Sequence, residues 1–215
     1  PAPRRIWAKD GPSGVAFAAT KAQSGKVYVA GFESIERESR ALVVAYNMQG
    51  EEVWRQSDNP TTGDDRWDAI AYDPAGFIYV AGYAAGEGYG RVKKINTTTH
   101  ADVWVYDNRS DFDRAGQVGT GFESVVVGDN GIIYVGGYDS MGTGTDEGNK
   151  KQWRVEKLNT RASPEQSRVW LTQRNPTGIV NANVCEGEIL WGAIGDAENF
   201  YGVGFQAVDQ FDGAW

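Results

Sequence analysis

The chain has 215 residues, 40% hydrophobic and 12% aromatic, enough to bury a sizeable core in one or two domains. Its 28 glycines against 7 prolines suit many short strands and tight turns, and the single cysteine, Cys185, excludes an intrachain disulfide and reads as a small buried hydrophobe. A formal charge of −8 without a basic stripe argues against nucleic-acid and anionic-membrane partners and reads as solubility.

No apolar run nears the ~18 residues of a membrane span, and no signal segment is visible. The opening on Pro1 without a methionine reads as a mature or excised piece. In chain order, the first strand-like segment is RRIWAK, with Trp7, followed by GVAFAAT (14–20) and GKVYVAGFES from Gly25. LVVAYN (42–47) and EEVWRQ, with Trp54, follow. The order then repeats as WDAIAYD (67–73), GFIYVAGYAA from Gly76, RVKKIN (91–96) and ADVWVY, with Trp104. A third pass gives FESVVVGD (122–129), GIIYVGGYDS from Gly131, RVEKLN (154–159) and SRVWLT, with Trp170. A fourth begins with EILWGAIGD (188–196) and NFYGVGFQA from Asn199, and runs out in AVDQFDGAW.

In GFIYVAGY one alternation is Phe77, Tyr79, Ala81 and Tyr83, and the other is Ile78, Val80 and Gly82. A strand apolar on both faces must be covered on both faces. No 10–15 residue amphipathic helical pattern is present to supply parallel crossovers, so small sheets stacked radially remain. Asn47, Asn96 and Asn159 close the third segments, as expected for turns through a left-handed residue. The tyrosines Tyr28, Tyr79, Tyr134 and Tyr201 recur after 51, 55 and 67 residues. Four strands per unit at that period predict an all-β fold, a β-propeller of four-stranded antiparallel blades with about four repeats in one domain, 1–215. The repeats fall roughly at 11–58, 59–108, 109–175 and 176–215, with strand 1–10 completing a blade.

The stretch YNMQGEEVWRQSDNPTTGDDRWDAIAYDPAGFIYVAGY, residues 46–83, resembles the bacterial beta-propeller repeat (SBBP-type) family. The likeness covers most of residues 1–206. The third repeat, with Gly136 and Gly137 and its spaced aromatics, is also similar to a kelch repeat, which ranks second. Both resemblances imply the four-stranded blade, and neither implies one activity. The visible units make either a small closed ring or part of a larger one, completed by further blades or by self-assembly with another chain.

Catalytic inventory is thin. His100, the single histidine, sits in an outer turn, and histidine-based general-base, zinc or copper chemistry usually needs more. The tryptophans read mostly as blade-core residues. Two carboxylate groups remain, Asp64, Asp65 and Asp68 in GDDRWD and Asp107, Asp111 and Asp113 in DNRSDFD. Such spacing can collect oxygen ligands for a calcium ion, although neither matches a full calcium loop; the competing reading is a polar turn capped by its own aspartates. Asp64, Asp65, Asp107, Asp111 and Asp113 are the calcium-type candidates; no other cofactor is expected. Eleven residues before Tyr79 and Tyr134 stand Asp68 and Glu123, in register on the inner strand, where a propeller brings them to the mouth of its channel. The sequons at Asn96 and Asn108 fall in turns.

Two functions fit this inventory. The first is a non-enzymatic module that presents loops at one end of the ring to a protein, glycan or surface partner. The alternative is a metal-dependent hydrolase or lyase using the channel carboxylates. The family resemblance implies a bacterial, extracytoplasmic setting.

Overall fold

The computed structural model describes residues 8, 10–84, 86, 88–108, 119–140, 151–174, 187–194 and 199–206. Among these residues it is all-β, with two single-turn 3-10 segments at 129–131 and 164–166. Strands β1 (Gly14–Lys21), β2 (Val27–Ile35), β3 (Glu38–Tyr46) and β4 (Glu52–Asp58) form the first antiparallel sheet, in chain order. The second holds β5 (Asp65–Asp73), β6 (Phe77–Ala84), β7 (Tyr89–Asn96) and β8 (Asp102–Asp107). The third holds β9 (Thr120–Val127), β10 (Ile132–Ser140), β11 (Lys151–Asn159) and β12 (Arg168–Arg174). A last pair, β13 (Gly187–Ile194) with β14 (Phe200–Gln206), begins a fourth. Among the described residues no helix is long and apolar enough to cross a membrane.

The sheets stack as blades, face to face and in order. Tyr28, Ala30, Ala41, Val43 and Ala45 of the first sheet pack with Trp67, Ile70, Ile78, Val80 and Ile95 of the second. From the other face of the second, Tyr79, Ala81, Val92, Trp104 and Tyr106 meet Phe122, Val125, Ile133, Val135 and Leu158 of the third. Tyr134 then stacks on Phe200 of β14, ring centroids 5.9 Å apart. The first strand of each later unit lies across the first three strands of the sheet before it: β5 on β1 to β3, β9 on β5 to β7, β13 on β9 to β11. Both faces of the central strands are therefore covered, as their doubly apolar sequences require. Each buried Val, Ile or Leu contributes roughly 1.5–3 kcal/mol, and the five in each of these two seams together outweigh any one ion pair across them.

The recurrent glycine of the repeated phrase has a steric cause. In every first strand the ladder slips by one residue: between Ala16 and Ala18, Trp67 and Ala69, Phe122 and Ser124, and Ile189 and Trp191. The residues paired just before the slip are Gly31, Gly82, Gly137 and Gly204. A Cβ on Gly31, Gly82 or Gly137 would fall well inside the carbonyl oxygen of Val15, Arg66 or Gly121 respectively. A bulge turns that carbonyl onto its partner strand, and only glycine leaves room.

Charged side chains distinguish the seams from one another. Opposite Val80 stands Lys93, whose ammonium meets Asp58 of the first sheet at 2.6 Å and Asp102 at 2.8 Å. Opposite Val135 stands Glu156, fully buried, which accepts a hydrogen bond from Tyr106 of the second sheet at 2.6 Å and pairs with Arg154 at 2.6 Å. Burial pushes the Glu156 carboxyl up, against the opposing pull of Arg154 and the Tyr106 hydroxyl. Arg154 also reaches Asp139, which accepts from Thr120 and Gln173. The equivalent residue of the first sheet, opposite Val29, is the apolar Val44.

Two local expectations differ. Asn47, Asn96 and Asn159 are not left-handed; instead each side-chain oxygen accepts backbone N–H groups further along, from Gln49 and Glu51, from Thr98 and Thr99, and from Arg161. The asparagine is needed for its acceptor, and the positive φ in the first two turns falls on Gly50 and His100. Of the tryptophans, Trp67 and Trp104 are core residues, whereas Trp170 is half open and rests its ring against Tyr134. Trp7, Trp215 and Cys185 lie outside the described residues, as does most of the strand expected at 1–10, of which only Ala8 and Asp10 are described, neither in a strand.

Two outcomes test this account by thermal or urea melting. Gly82→Ala destabilises by about 3 kcal/mol or prevents folding, while Gly11→Ala, in open space, is neutral. Lys93→Met leaves Asp58 and Asp102 facing each other and costs about 2 kcal/mol, less than a fully buried pair because Asp102 is partly exposed.

Candidate functional site

The bulges decide which side chains reach the edge where first strands meet. Trp67 and Ile70 lie three apart yet share one seam, and Phe122 and Val125 do the same. Simple alternation would put each pair on opposite faces; the inserted residue restores them to one face. That inserted residue is Phe17, Asp68, Glu123 or Leu190. Each stands eleven before Tyr28, Tyr79, Tyr134 or Tyr201, so the spacing that singles out Asp68 and Glu123 also places Phe17 and Leu190.

Arg66, two residues before Asp68, joins these positions. Its Nε donates to both Asp68 oxygens, at 2.8 and 3.0 Å. Its guanidinium carbon lies 5.9 Å from the ring centre of Phe17 on the first sheet and 5.8 Å from that of Tyr83 on β6. Burial alone lowers the Arg66 pKa, but Asp68, then Tyr138 and Glu123 of the third sheet, raise it overall, so the cation is firmly held. Burial pushes the Tyr83 hydroxyl up, opposed by Arg66. Phe17 is half exposed and packs on Phe32 at 5.9 Å. Three sheets thus contribute to one cluster: a guanidinium, two carboxylates and aromatic faces. Phe17, Arg66, Tyr83 and Tyr138 escape a search for catalytic residue types, because only the strand register connects them.

The other carboxylates have structural partners. Asp64 accepts the Ser39 backbone N–H at 3.0 Å, tying the second sheet to the first. Asp65 is fully buried and accepts from the N–H and hydroxyl of Thr61, closing the turn into β5. Asp107 takes both Arg91 donors, at 2.6 and 2.8 Å. Asp111 and Asp113 lie outside the described residues. Among the described residues no group of three or more His, Cys, Asp and Glu could hold a metal ion. Asn108 is buried, its oxygen accepting the Gly90 N–H.

His100 belongs to the outer rim. It stacks on Trp54 of the first sheet, ring centres 4.6 Å apart, and its pKa is lowered by burial and then by Lys26. The position serves an inter-sheet contact.

No protein-family model matches the chain, and no curated protein matches it.

Two measurements probe these placements. Arg66→Gln takes the paired cation from Asp68 and costs about 1 kcal/mol by urea melting at neutral pH. At His100 the folded state binds protons less readily than the unfolded chain. Its stabilisation is therefore present above the ordinary histidine value of about 6.5 and lost as pH falls through the lower folded value. His100→Asn, which tolerates the positive φ, flattens the melting profile just below that value.

Proposed function

We propose that this chain is a non-enzymatic binding module of the β-propeller type, its blades set around an axis with the first strands innermost, and that it takes a neutral glycan at the first-strand edge. The Arg66 cluster carries the reading. Aromatic faces cover the apolar side of a sugar ring, while a guanidinium and carboxylates already held in place bond its hydroxyls without further ordering. The balance of one cation to two anions disfavours phosphate or sulfate ligands. Arg66 and Asp68 are preorganised on a strand bulge, which favours recognition by rigid elements. The bacterial repeat resemblance supports an extracytoplasmic place of action, where glycans are presented.

The test screens the whole chain on an array of neutral oligosaccharides, followed by calorimetry on the best one. Phe17→Ala and Arg66→Met each weaken binding at least tenfold, about 1.4 kcal/mol, without loss of the folded state. An array without binders, binding indifferent to both substitutions, or cleavage of the bound oligosaccharide overturns the reading.

A further inference from the structure

The two seams between the three four-stranded sheets use the same parts, and among the described residues two matching flanks stand open. Tyr28, Tyr79 and Tyr134 are buried because the next unit covers them; their counterpart Tyr201 is 56% exposed. Two residues on, Ala30 and Ala81 are fully buried, whereas Val203 is 61% exposed. On the covering side, Trp67 and Ile70, and Phe122 and Val125, fill the seams from the first strands. Their counterparts on β1 are Ala16 and Ala19, both exposed.

The tyrosine hydroxyls show the same gap. Tyr28 donates to the carbonyl of Thr97, just past Asn96, and the Tyr79 hydroxyl meets Thr160, just past Asn159. The matching residue past Asn47 is Met48, 53% exposed. The flank of the first sheet also holds a cavity of about 330 Å³, lined among others by Val15, Ala16, Val29, Leu42, Val44 and Tyr46. A cavity of roughly 150 Å³ already accepts benzene, so a tyrosine ring fits.

Charge is arranged differently on this flank. The flanks that meet inside the molecule carry Lys93 and Glu156, which reach across to Asp58 and Tyr106. The open flank carries Leu42 and Val44 at the positions of Arg91 and Lys93. Its neighbouring Arg55 pairs with Glu52 and Glu33 of its own sheet and not across a seam.

From these matched halves we infer that a second copy of this chain docks head to tail, the Tyr201 flank of one copy covering the Ala16–Ala19 flank of the next, with the Tyr201 hydroxyl donating to the Met48 carbonyl. The contact is heterologous, one surface meeting a different surface, and two copies close it when each supplies both. The inference is independent of the glycan reading, since neither Tyr201 nor Ala19 belongs to the Arg66 cluster.

The experiment measures mass by sedimentation for the wild-type chain, for Tyr201→Glu, for Ala19→Glu and for the two variants mixed. Both substitutions fall on exposed positions, and melting confirms that each variant is folded. The wild type sediments at twice the chain's mass. Each variant alone is a monomer, and the mixture regains a dimer because one copy keeps the Tyr201 flank and the other keeps the β1 flank. A monomeric wild type at every concentration, variants that still dimerise alone, or a mixture that stays monomeric overturns it.

Discussion

One close approach underlies the structure: in each of the first three sheets a carbonyl of the first strand lies directly over a glycine of the second. It requires a residue without a side chain, and it lets one extra residue into the first strand. The extra residue brings Trp67 and Ile70, or Phe122 and Val125, onto one face although three positions separate them. Without it, half of the seam-filling side chains would point away from the sheet they must cover. The repeated phrase is thus a packing device, and chemistry is attached to it only at the inserted residue.

The seams separate two tasks. Apolar contact is common to all of them and supplies the bulk of the stabilisation. The buried charges differ from seam to seam, Lys93 with Asp58 in one and Glu156 with Tyr106 in the other. A wrong pairing of sheets would cost Lys93 its contact with Asp58 or Glu156 its hydrogen bond from Tyr106, leaving each with only the partner in its own sheet, Asp102 or Arg154. The charges thus favour one stacking order among similar blades. The flank bearing Leu42 and Val44 is the exception, since its Arg55 is paired with Glu33 and Glu52 inside its own sheet and not across a seam.

The inserted positions escape the packing requirement that governs their neighbours, and their side chains vary freely: Phe17, Asp68, Glu123 and Leu190. A rigid frame with variable residues at one convergent edge is a common layout for recognition. Here the arrangement acquires a cation from Arg66, whose ring neighbours come from two different sheets. The resulting surface combines aromatic faces with a guanidinium and two carboxylates.

The strand order, the four-strand unit and the coverage of both faces were legible in the amino-acid sequence, because glycine turns and doubly apolar strands leave few alternatives. The register of Asp68 with Glu123 was legible for the same reason. The turn asparagines were misassigned, since a side-chain acceptor and a left-handed backbone favour the same residue type. Arg66, Phe17 and Tyr83 form a cluster only once the tertiary structure sets the sheets side by side, as contacts between residues 17, 66 and 83 depend on how three separate strands are placed. The partners of Lys93 and Glu156, and the open flanks, were likewise decided by tertiary packing: sequence patterns report which face is apolar, but not which surface arrives to cover it.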